Sequence, residues 1–383
     1  MKTTVLTIGC YPSTGGPSKS VRAFQRALDA QVIAWVDPRE YALEKLVFEP
    51  TAIVRGVQWP ALRTLLYPRR EDLPAAEELV ASSDLVSCHL FWRWHCPWLQ
   101  TVAGRHQRPF WLVPHGGLDP YVFQKDGFAK RIFAKTIARP FLTSAPAVVC
   151  STRREYEKAR RHLPRAEPFI LPWPLEEADV RDRDHAARQA TRGRLGIPEN
   201  AFCLLYLGRL HGMKRPLETI TALARSGVSK AHLLIVGNEF GVSVADCIDH
   251  AQNQGVGDRV HVMGAAFGSS KRAYFDAADA YISLSHRENF NFSAAEALAS
   301  GLPVILSPGN DLASDLLPID CGWMLPSIAA APEAIRAASE LPATALADRG
   351  RRGKDWAENT LRFDTFAAKL RGYAARLAEE VRR

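Results

Sequence analysis

The chain has 383 residues, of which 47% are hydrophobic, and a formal net charge of +8. This length and composition exclude a disordered chain and predict two domains with sizeable cores. No run of about 18 apolar residues occurs, so no membrane-spanning helix is predicted. The residues Thr3–Ile8 at the start of the chain are predicted to form a strand and not part of a signal peptide. Seven scattered cysteines indicate reduced thiols in a cytoplasmic protein.

Short apolar runs alternate with helical stretches along the chain, which favours parallel sheets with crossover helices. The first half contains six predicted strands: Val5–Ile8, Val32–Val36, Leu85–His89, Phe110–Val113, Val148–Cys150 and Phe169–Leu171. A polar stretch follows, and six more strands come after it: Cys203–Leu207, His232–Val236, Val260–Met263, Ala280–Leu284, Pro303–Leu306 and Trp323–Leu325. We therefore expect two doubly wound α/β domains, 1–175 and 176–360, with a last helix over 361–383 that packs back on the first.

Two glycine-containing turns in the first half follow predicted strands. Gly15 and Gly16 precede a helix, so a ligand can approach the backbone there and the helix N-terminus favours an anion. A plain β-to-α turn explains the same residues equally well. His115 follows the strand Phe110–Val113 and stands beside two glycines at the strand's carboxyl end, where ligands of α/β proteins bind. A structural histidine is the alternative.

Two other segments of the first half have competing interpretations. Cys88, His89, His95 and Cys96 are of metal-ligating type, but their spacing matches no zinc pattern and tryptophans interleave them, so a packed aromatic segment without metal is predicted. The segment 128–142 alternates apolar and basic residues as an amphipathic helix does. It either packs in the core or touches an anionic membrane surface. No nucleic-acid motif accompanies the basic residues of the chain, so no nucleic acid is predicted as a partner.

The second half carries two cations on the loop after the strand Cys203–Leu207. Arg209 and Lys214 lie at the strand's carboxyl end, before the helix that starts near Pro216. Two fixed cations there suit a diphosphate, because Arg binds two oxygens and Lys acts as a point charge. Solvated loop cations are the alternative.

The stretch 286–303 joins two predicted strands through a polar turn and a short helix. Glu288 lies in the turn and Glu296 in the helix, whose N-terminus favours phosphate. Gly301 suits a left-handed helix cap and Pro303 prevents continuation. Read alone, Ser293 and Glu296 also have the spacing of a capping box.

Arg209 with Lys214, then Glu288 and Glu296 eight residues apart, then Gly301–Val304, resembles the retaining glycosyltransferases of family 4. The family has the GT-B fold, two Rossmann-like domains that face each other across a cleft. The resemblance implies that Arg209 and Lys214 neutralise the donor diphosphate, that Glu288 contacts hydroxyls of the donor sugar and that Glu296 binds the ribose. It further implies that the backbone N–H groups of four residues cradle the distal phosphate: Asn289, Phe290, Asn291 and Phe292.

The resemblance also assigns the remaining loops. Gly15 and Gly16 touch the same phosphate, His115 lines the sugar or acceptor side, and the backbone from Met263 to Ala265 meets the base. The first domain is then the acceptor side and the second binds the donor. Three positions depart from the family pattern: Asn289–Phe290–Asn291 replaces Gly-Phe-Gly, Arg215 stands where a glycine often follows the lysine, and Pro172–Trp173–Pro174 replaces Pro-Asn-Gly. Asn tolerates the left-handed conformation better than most residues.

Together these features predict a retaining glycosyltransferase. It moves a hexose from a UDP- or GDP-sugar to a hydroxyl of a glycan or glycolipid acceptor in cell-surface polysaccharide assembly. The chemistry requires no cofactor and no metal, and the protein is expected in the cytoplasm, peripheral at the inner face of the membrane. An inverting GT-B transferase or a sugar-nucleotide epimerase is the enzymatic alternative, and a non-catalytic subunit that binds a sugar nucleotide is the other.

Overall fold

A computed structural model describes residues 1–58, 65–125 and 132–382 of the chain. The chain divides into two compact units, each of which contains one sheet. Unit 1 comprises Met1–Pro174 and Phe363–Arg383, and unit 2 comprises Leu175–Arg362. Unit 2 is therefore one uninterrupted stretch of sequence, whereas unit 1 is built from two.

Every strand pairing in the two sheets is parallel. Unit 1 has the strand order β3-β2-β1-β4-β5-β6-β7, with β1 Thr3–Ile8, β2 Gln31–Val36, β3 Ala52–Arg55, β4 Leu85–His89, β5 Phe110–Val113, β6 Ala147–Cys150 and β7 Glu167–Ile170. Unit 2 has the order β10-β9-β8-β11-β12-β13, with β8 Phe202–Leu207, β9 Ala231–Val236, β10 Val260–Met263, β11 Ala280–Ser283, β12 Val304–Leu306 and β13 Gly322–Met324. The strand order reverses between β1 and β4 and between β8 and β11, which is where α/β sheets bind ligands.

The α-helices of the described ranges lie between these strands or, for the last three, after β13. They are α1 Gly16–Leu28, α2 Pro38–Leu43, α3 Leu73–Ala81, α4 His95–His106, α5 Pro120–Lys125, α6 Arg139–Ser144, α7 Arg153–Ala159, α8 His185–Leu195, α9 Pro216–Ser226, α10 Val244–Asn253, α11 Gly268–Ala277, α12 Phe292–Ala299, α13 Leu312–Leu316, α14 Ala331–Glu340, α15 Ala343–Thr360 and α16 Phe363–Arg382.

The doubly wound α/β class predicted from the sequence is confirmed. Twelve of the thirteen strands in the described ranges lie within two residues of a predicted strand, because strands buried on both faces read as continuous apolar runs. The strand β3 was not predicted. It lies at a sheet edge, and its burial alternates along four residues, so it has no apolar run to detect.

The segment 128–142 is described from residue 132 onward; Phe128, Lys130 and Arg131 lie outside the described residues. Phe133 and Phe141 belong to the core of unit 1, and a π-helical turn occupies Ala134–Ala138. Phe133 and Phe141 are therefore used for core packing, whereas Ile132 is 45% exposed, and the predicted membrane contact stays a prediction. Among the described residues, no helix has the length and apolar character that crossing a membrane requires.

The helix α16 packs against α1 within unit 1. Its buried residues Phe366, Leu370, Ala374 and Leu377 recur at the spacing of one helix face. The ring of Phe366 contacts that of Phe24 at 5.4 Å between centroids. Arg371 Nε donates to the carbonyl of Ala27 at 2.7 Å, so the last helix also satisfies a carbonyl at the end of the first.

Gly350 tests how closely α15 approaches the end of α12. A Cβ atom at Gly350 would lie 2.1 Å from the carbonyl oxygen of Gly301. We expect Gly350→Ala to lower the free energy of unfolding by about 1–3 kcal/mol, because the backbone must shift. The measurement is the thermal unfolding transition of the purified chain.

Gly372 on α16 is the matched control, because nothing lies within 4 Å of a Cβ placed there. Gly372→Ala should raise the free energy of unfolding by about 0.5–1 kcal/mol through helix propensity. A transition unchanged by Gly350→Ala would contradict the close approach.

Candidate functional site

Three loops of unit 2 meet beyond the carboxyl ends of β8, β11 and β12. They are the loops 208–215, 284–291 and 307–311. The N–H of His286 donates to the carbonyl of Met213 at 2.8 Å, and the N–H of Glu288 donates to the carbonyl of Gly309 at 2.8 Å. A Cβ at Gly309 would lie 2.2 Å from the carbonyl oxygen of Ser285, so only glycine permits this approach. Main-chain contacts therefore join all three loops.

The loop 208–215 is also fixed from its other side, by the loop after β9. A Cβ at Gly237 would lie 1.8 Å from the carbonyl oxygen of Gly208. Leu210 is fully buried, and its N–H donates to the carbonyl of Asn238 at 2.8 Å. The Arg209 guanidinium lies over the ring of Phe240, with Cζ 5.1 Å from the ring centroid, a cation–π contact. Arg209 thus has a preferred position before any ligand is bound.

The structure brings Lys214 and Glu288 together. Lys214 Nζ forms an ion pair and hydrogen bond with Glu288 Oε2, and both side chains are about one-fifth exposed, at 25% and 18%. Burial, and then the charge of Arg209, lower the pKa of Lys214 from 10.5 to about 8, while the adjacent carboxylate favours its charged form. Lys214 is thus a cation at neutral pH, and it is partnered by the acid that the resemblance assigns to the donor sugar.

Asn291 starts the helix α12 and connects two of the loops. It has the left-handed conformation, with φ 58°, as its residue type predicts. Its Oδ1 accepts from the N–H of Ala294 at 3.1 Å, and its Nδ2 donates to Asn310 Oδ1 at 2.7 Å. The capping-box interpretation of Ser293 and Glu296 is therefore wrong, because the N-cap is Asn291 and Ser293 lies inside the helix.

Arg215 gives the second left-handed position of the site. It is the N-cap of α9 with φ 56°. Arg215 and Asn291 both stand where the family pattern predicts glycine, and both adopt the conformation that favours glycine. Both loops thus have a left-handed residue at the position where the family pattern has glycine, although the residue is not glycine.

Glu296 is buried, with 3% of its surface exposed. Lys271 Nζ on α11 lies 3.1 Å from Glu296 Oε1 and 3.2 Å from Asp179 Oδ1. An opposite charge at this distance offsets part of the free-energy cost of burying a carboxylate. Sequence analysis missed Lys271 and Asp179, because their only signal is a contact between residues far apart in sequence.

The remaining predicted donor-binding residues of unit 2 do not all lie on the three joined loops. Phe290 is buried and contacts Phe292 edge-to-face at 5.1 Å between centroids. Met263 ends β10, and its carbonyl accepts from the N–H of Gly237 at 3.4 Å. Ala265 is exposed just beyond it. Met263 and Ala265 thus belong to the edge next to β9 and not to the three joined loops.

The predicted residues of unit 1 lie in two turns. Gly15 is the N-cap of α1 with φ 75°, and Gly16 is the first residue of that helix. His115 has φ 49°, and the next N–H, of Gly116, donates to Glu155 Oε1 at 2.7 Å. Burial lowers the pKa of His115 to about 3, so the ring is neutral at physiological pH. Glu155 holds this turn, a role that was not predicted from the sequence.

The structure gathers three of the four unit 1 residues that are of metal-ligating type. Cys96 Sγ lies 3.9 Å from Cys88 Sγ and 3.5 Å from His95 Nε2, and all three are fully buried. His95 Nε2 also contacts the carbonyl of His89 at 3.1 Å, and the His89 ring points to His115 instead. Aromatic packing surrounds the segment, with Trp35 and Trp98 rings 5.2 Å apart. The absence of a metal here stays a prediction.

Residues 187–352, which include all three loops, match the family model described as glycosyl transferases group 1. The chain is 28% identical over 188 residues to the alpha-monoglucosyldiacylglycerol synthase of Streptococcus pneumoniae, a match covering 48% of this chain and 42% of that protein. It is 30% identical over 230 residues to a D-inositol 3-phosphate glycosyltransferase of Stackebrandtia nassauensis, a match covering 54% and 50%. The chain thus spans half or less of the length of these curated relatives.

Among solved structures, Anabaena HepE in complex with UDP is similar over 98% of this chain and 100% of that chain. The TM-score is 0.77 and the sequence identity 17%. At this identity the likeness concerns the fold, and it confirms the predicted GT-B class.

Lys271 tests the electrostatic role of the buried pair. We expect Lys271→Met to lower the free energy of unfolding by about 1–3 kcal/mol, because the buried Glu296 carboxylate loses a charged partner. Urea unfolding of the purified chain measures the change. Lys271→Arg, which keeps the charge, is the matched control, and adding Glu296→Gln to Lys271→Met should recover part of the loss. A Lys271→Met variant as stable as the wild type would refute a structural role for the pair.

Proposed function

Because the chain belongs to the glycosyl transferases group 1 family, we propose that it is a retaining glycosyltransferase that moves a hexose from a nucleotide-sugar to a hydroxyl group. The observation that carries the proposal is the meeting of Lys214 and Glu288 beside Arg209, on loops joined at the carboxyl edge of the sheet. Two cations and an acid so placed match what glycosyl transfer from a diphosphate requires.

The reaction breaks the bond between the anomeric carbon and the phosphate oxygen, and the electron pair stays on the phosphate. Arg209 and Lys214 stabilise the negative charge that develops on the departing nucleoside diphosphate. Arg209 is suited to two phosphate oxygens and Lys214 to a single strong contact. The N-terminus of α12, with the backbone N–H groups of Asn289 to Phe292, adds a neutral anion-binding element. The leaving group is thus stabilised by residues of this chain.

The acids bind hydroxyl groups. Glu288 contacts the donor sugar, and Lys214 passes from its carboxylate to the diphosphate as the donor enters. Glu296 binds the ribose. Lys271, which contacts the Glu296 carboxylate in the structure, then either shares that carboxylate with the ribose or releases it. Met263 and Ala265 meet the base at the neighbouring edge. Gly15, Gly16 and His115 in unit 1 keep the predicted phosphate, sugar and acceptor roles.

The retaining outcome follows from a front-face reaction. The acceptor hydroxyl attacks from the side on which the diphosphate leaves, forms the new bond to the anomeric carbon, and transfers its proton to the departing phosphate oxygen. No protein nucleophile and no cofactor take part in this scheme. It agrees with the group of acids and cations described here, in which Glu288 is already paired with Lys214.

The relatives guide the choice of substrates. Anabaena HepE is described in complex with UDP and with UDP-glucose, which makes UDP-glucose the first donor to test, ahead of GDP-sugars. The curated relatives are named for a glucosylated diacylglycerol and for inositol 3-phosphate, which favours a hydroxyl of a glycolipid or glycan as acceptor. We place the reaction in cell-surface polysaccharide or glycolipid assembly at the cytoplasmic face of the membrane.

A donor panel tests the function. The purified chain is incubated with UDP- and GDP-hexoses, with and without lipid and glycan acceptors, and release of nucleoside diphosphate is followed. Turnover with one donor is expected. No turnover with any donor would instead support a non-catalytic sugar-nucleotide-binding protein. The anomeric configuration of the product, determined by NMR, should match that of the donor, and inversion would exclude the retaining assignment.

Lys214 tests the leaving-group role. Lys214→Ala should lower kcat by at least about tenfold while the fold stays intact, because a charge contact to the developing anion is lost. Lys230→Ala is the matched control and should leave kcat unchanged. Lys230 is an exposed lysine directly before the first residue of β9, whereas the three loops lie at the carboxyl ends of the strands. Circular dichroism establishes folding of both variants. Equal kcat for Lys214→Ala and wild type would remove Lys214 from the site.

A further inference from the structure

A continuous row of hydrogen bonds runs through the core of unit 1 from Trp111, includes His115 and ends at Ser20. Trp111 is the register partner of Ser87 on the neighbouring strand, and its Nε1–H donates to Ser87 Oγ at 2.5 Å. His89 lies two residues after Ser87 on β4, hence on the same face, with Nε2 2.9 Å from Ser87 Oγ. His89 Nδ1 lies 3.0 Å from His115 Nε2. His115 Nδ1 then lies 3.4 Å from Ser20 Oγ.

The two ends of the row determine its direction. Indole nitrogen only donates, so Ser87 Oγ is an acceptor for Trp111 and has its own proton available for His89 Nε2. At the other end, Ser20 Oγ donates its proton to the carbonyl of Pro17 at 2.9 Å and so accepts from His115 Nδ1. A neutral imidazole donates from one nitrogen and accepts at the other. His89 Nδ1–H must therefore donate to His115 Nε2.

Burial makes this arrangement costly to break. Ser87, His89 and Trp111 are fully buried and Ser20 is 1% exposed, so an unmatched donor or acceptor among them would cost free energy. The backbone of the same turn is held separately. Glu155 accepts from Gly116 N–H and from Ser151 N–H, both at 2.7 Å. His115 is thus fixed in its main chain by one set of contacts and in its ring by another.

We propose that His89 is a positioning residue for His115, and that the row from Trp111 to Ser20 holds His115 as the Nδ1–H tautomer with its Nε2 lone pair occupied by His89. The ring then has one orientation and one neutral tautomer. His115 Nε2 accepts from His89 and does not act as a base toward a substrate hydroxyl.

The consequence for catalysis rests on the proposed function. If His115 lines the sugar or acceptor side, it does so as a fixed neutral ring and through its main chain. Loosening the ring should then raise the KM for the donor or acceptor more than it lowers kcat, because positioning and not proton transfer is lost. The tautomer itself does not depend on the reaction and is measured without substrate.

Two amide variants of His89 separate the two ends of its ring. His89→Asn places an amide near the position of Nδ1 and keeps a donor for His115 Nε2. His89→Gln reaches toward Ser87, near the position of Nε2, and removes the donor to His115. Both variants introduce an amide, and they differ in which neighbour of His89 the amide can contact, His115 or Ser87.

The test uses the full chain labelled with 15N-histidine, at pH 7, in two-bond 1H–15N correlation spectra that distinguish protonated from unprotonated ring nitrogens. The His115 signals are identified by their loss in His115→Gln. We expect a protonated Nδ1 and an unprotonated Nε2 in the wild type and in His89→Asn, and a displaced Nε2 resonance in His89→Gln, because the Nε2 lone pair has lost its donor. A protonated Nε2 in the wild type, or an unchanged His115 spectrum in His89→Gln, would overturn the proposal.

Two further outcomes keep the tests distinct. If His89→Gln does not fold, Ser87→Ala takes its place, since the loss of the hydroxyl donor removes what fixes the His89 tautomer; an unchanged His115 spectrum in that variant overturns the proposal as well. The expected spectra together with no turnover on any donor would refute the proposed function and leave the positioning role of His89 standing. Turnover together with an Nε2–H tautomer would do the reverse.

Discussion

The hydrogen bond from Asn291 to Asn310 is the contact on which the candidate site depends. It ties the first residue before α12 to the loop after β12, and the same asparagine caps the helix. Because Asn291 and Asn310 are 5% and 1% exposed, the bond is shielded from water and costly to lose. Glu288 precedes Asn291 on the same loop, and it shares main-chain hydrogen bonds with Gly309 and Asp311, the two neighbours of Asn310, so the same contact helps to fix its position. Polar side-chain and main-chain contacts thus fix these loops.

The acids of the site are held in opposite-charge pairs. Glu288 is paired with Lys214 and Glu296 with Lys271, so neither carboxylate carries the full cost of an isolated buried charge. A ligand that binds these groups exchanges one set of ionic contacts for another. The affinity gained is therefore the difference between two sets of contacts.

Much of the fold was predictable from the sequence, because buried parallel strands leave apolar runs bounded by turns, and the short half-buried edge strand β3 shows where that signal ends. Arg209, Lys214 and Glu288 could be singled out because their order along the chain matches a known motif pattern, and their roles stay predictions. Lys271, Asp179, Asn310 and Glu155 were not assigned roles, since each acts through a contact with a distant residue. The capping box failed for a different reason: the left-handed Asn291 starts α12 two residues earlier than Ser293 requires.

The division of the sequence between the units has a consequence for synthesis. Unit 2 is one continuous stretch, Leu175–Arg362, whereas α16 of unit 1 comes after it in the chain. Domains fold as their residues leave the ribosome, so the second sheet has all of its sequence before the first unit receives its closing helix. Until then the surface of α1 around Phe24, which Phe366 later covers, lacks its partner. The order of completion is thus the reverse of the order in which the two sheets begin.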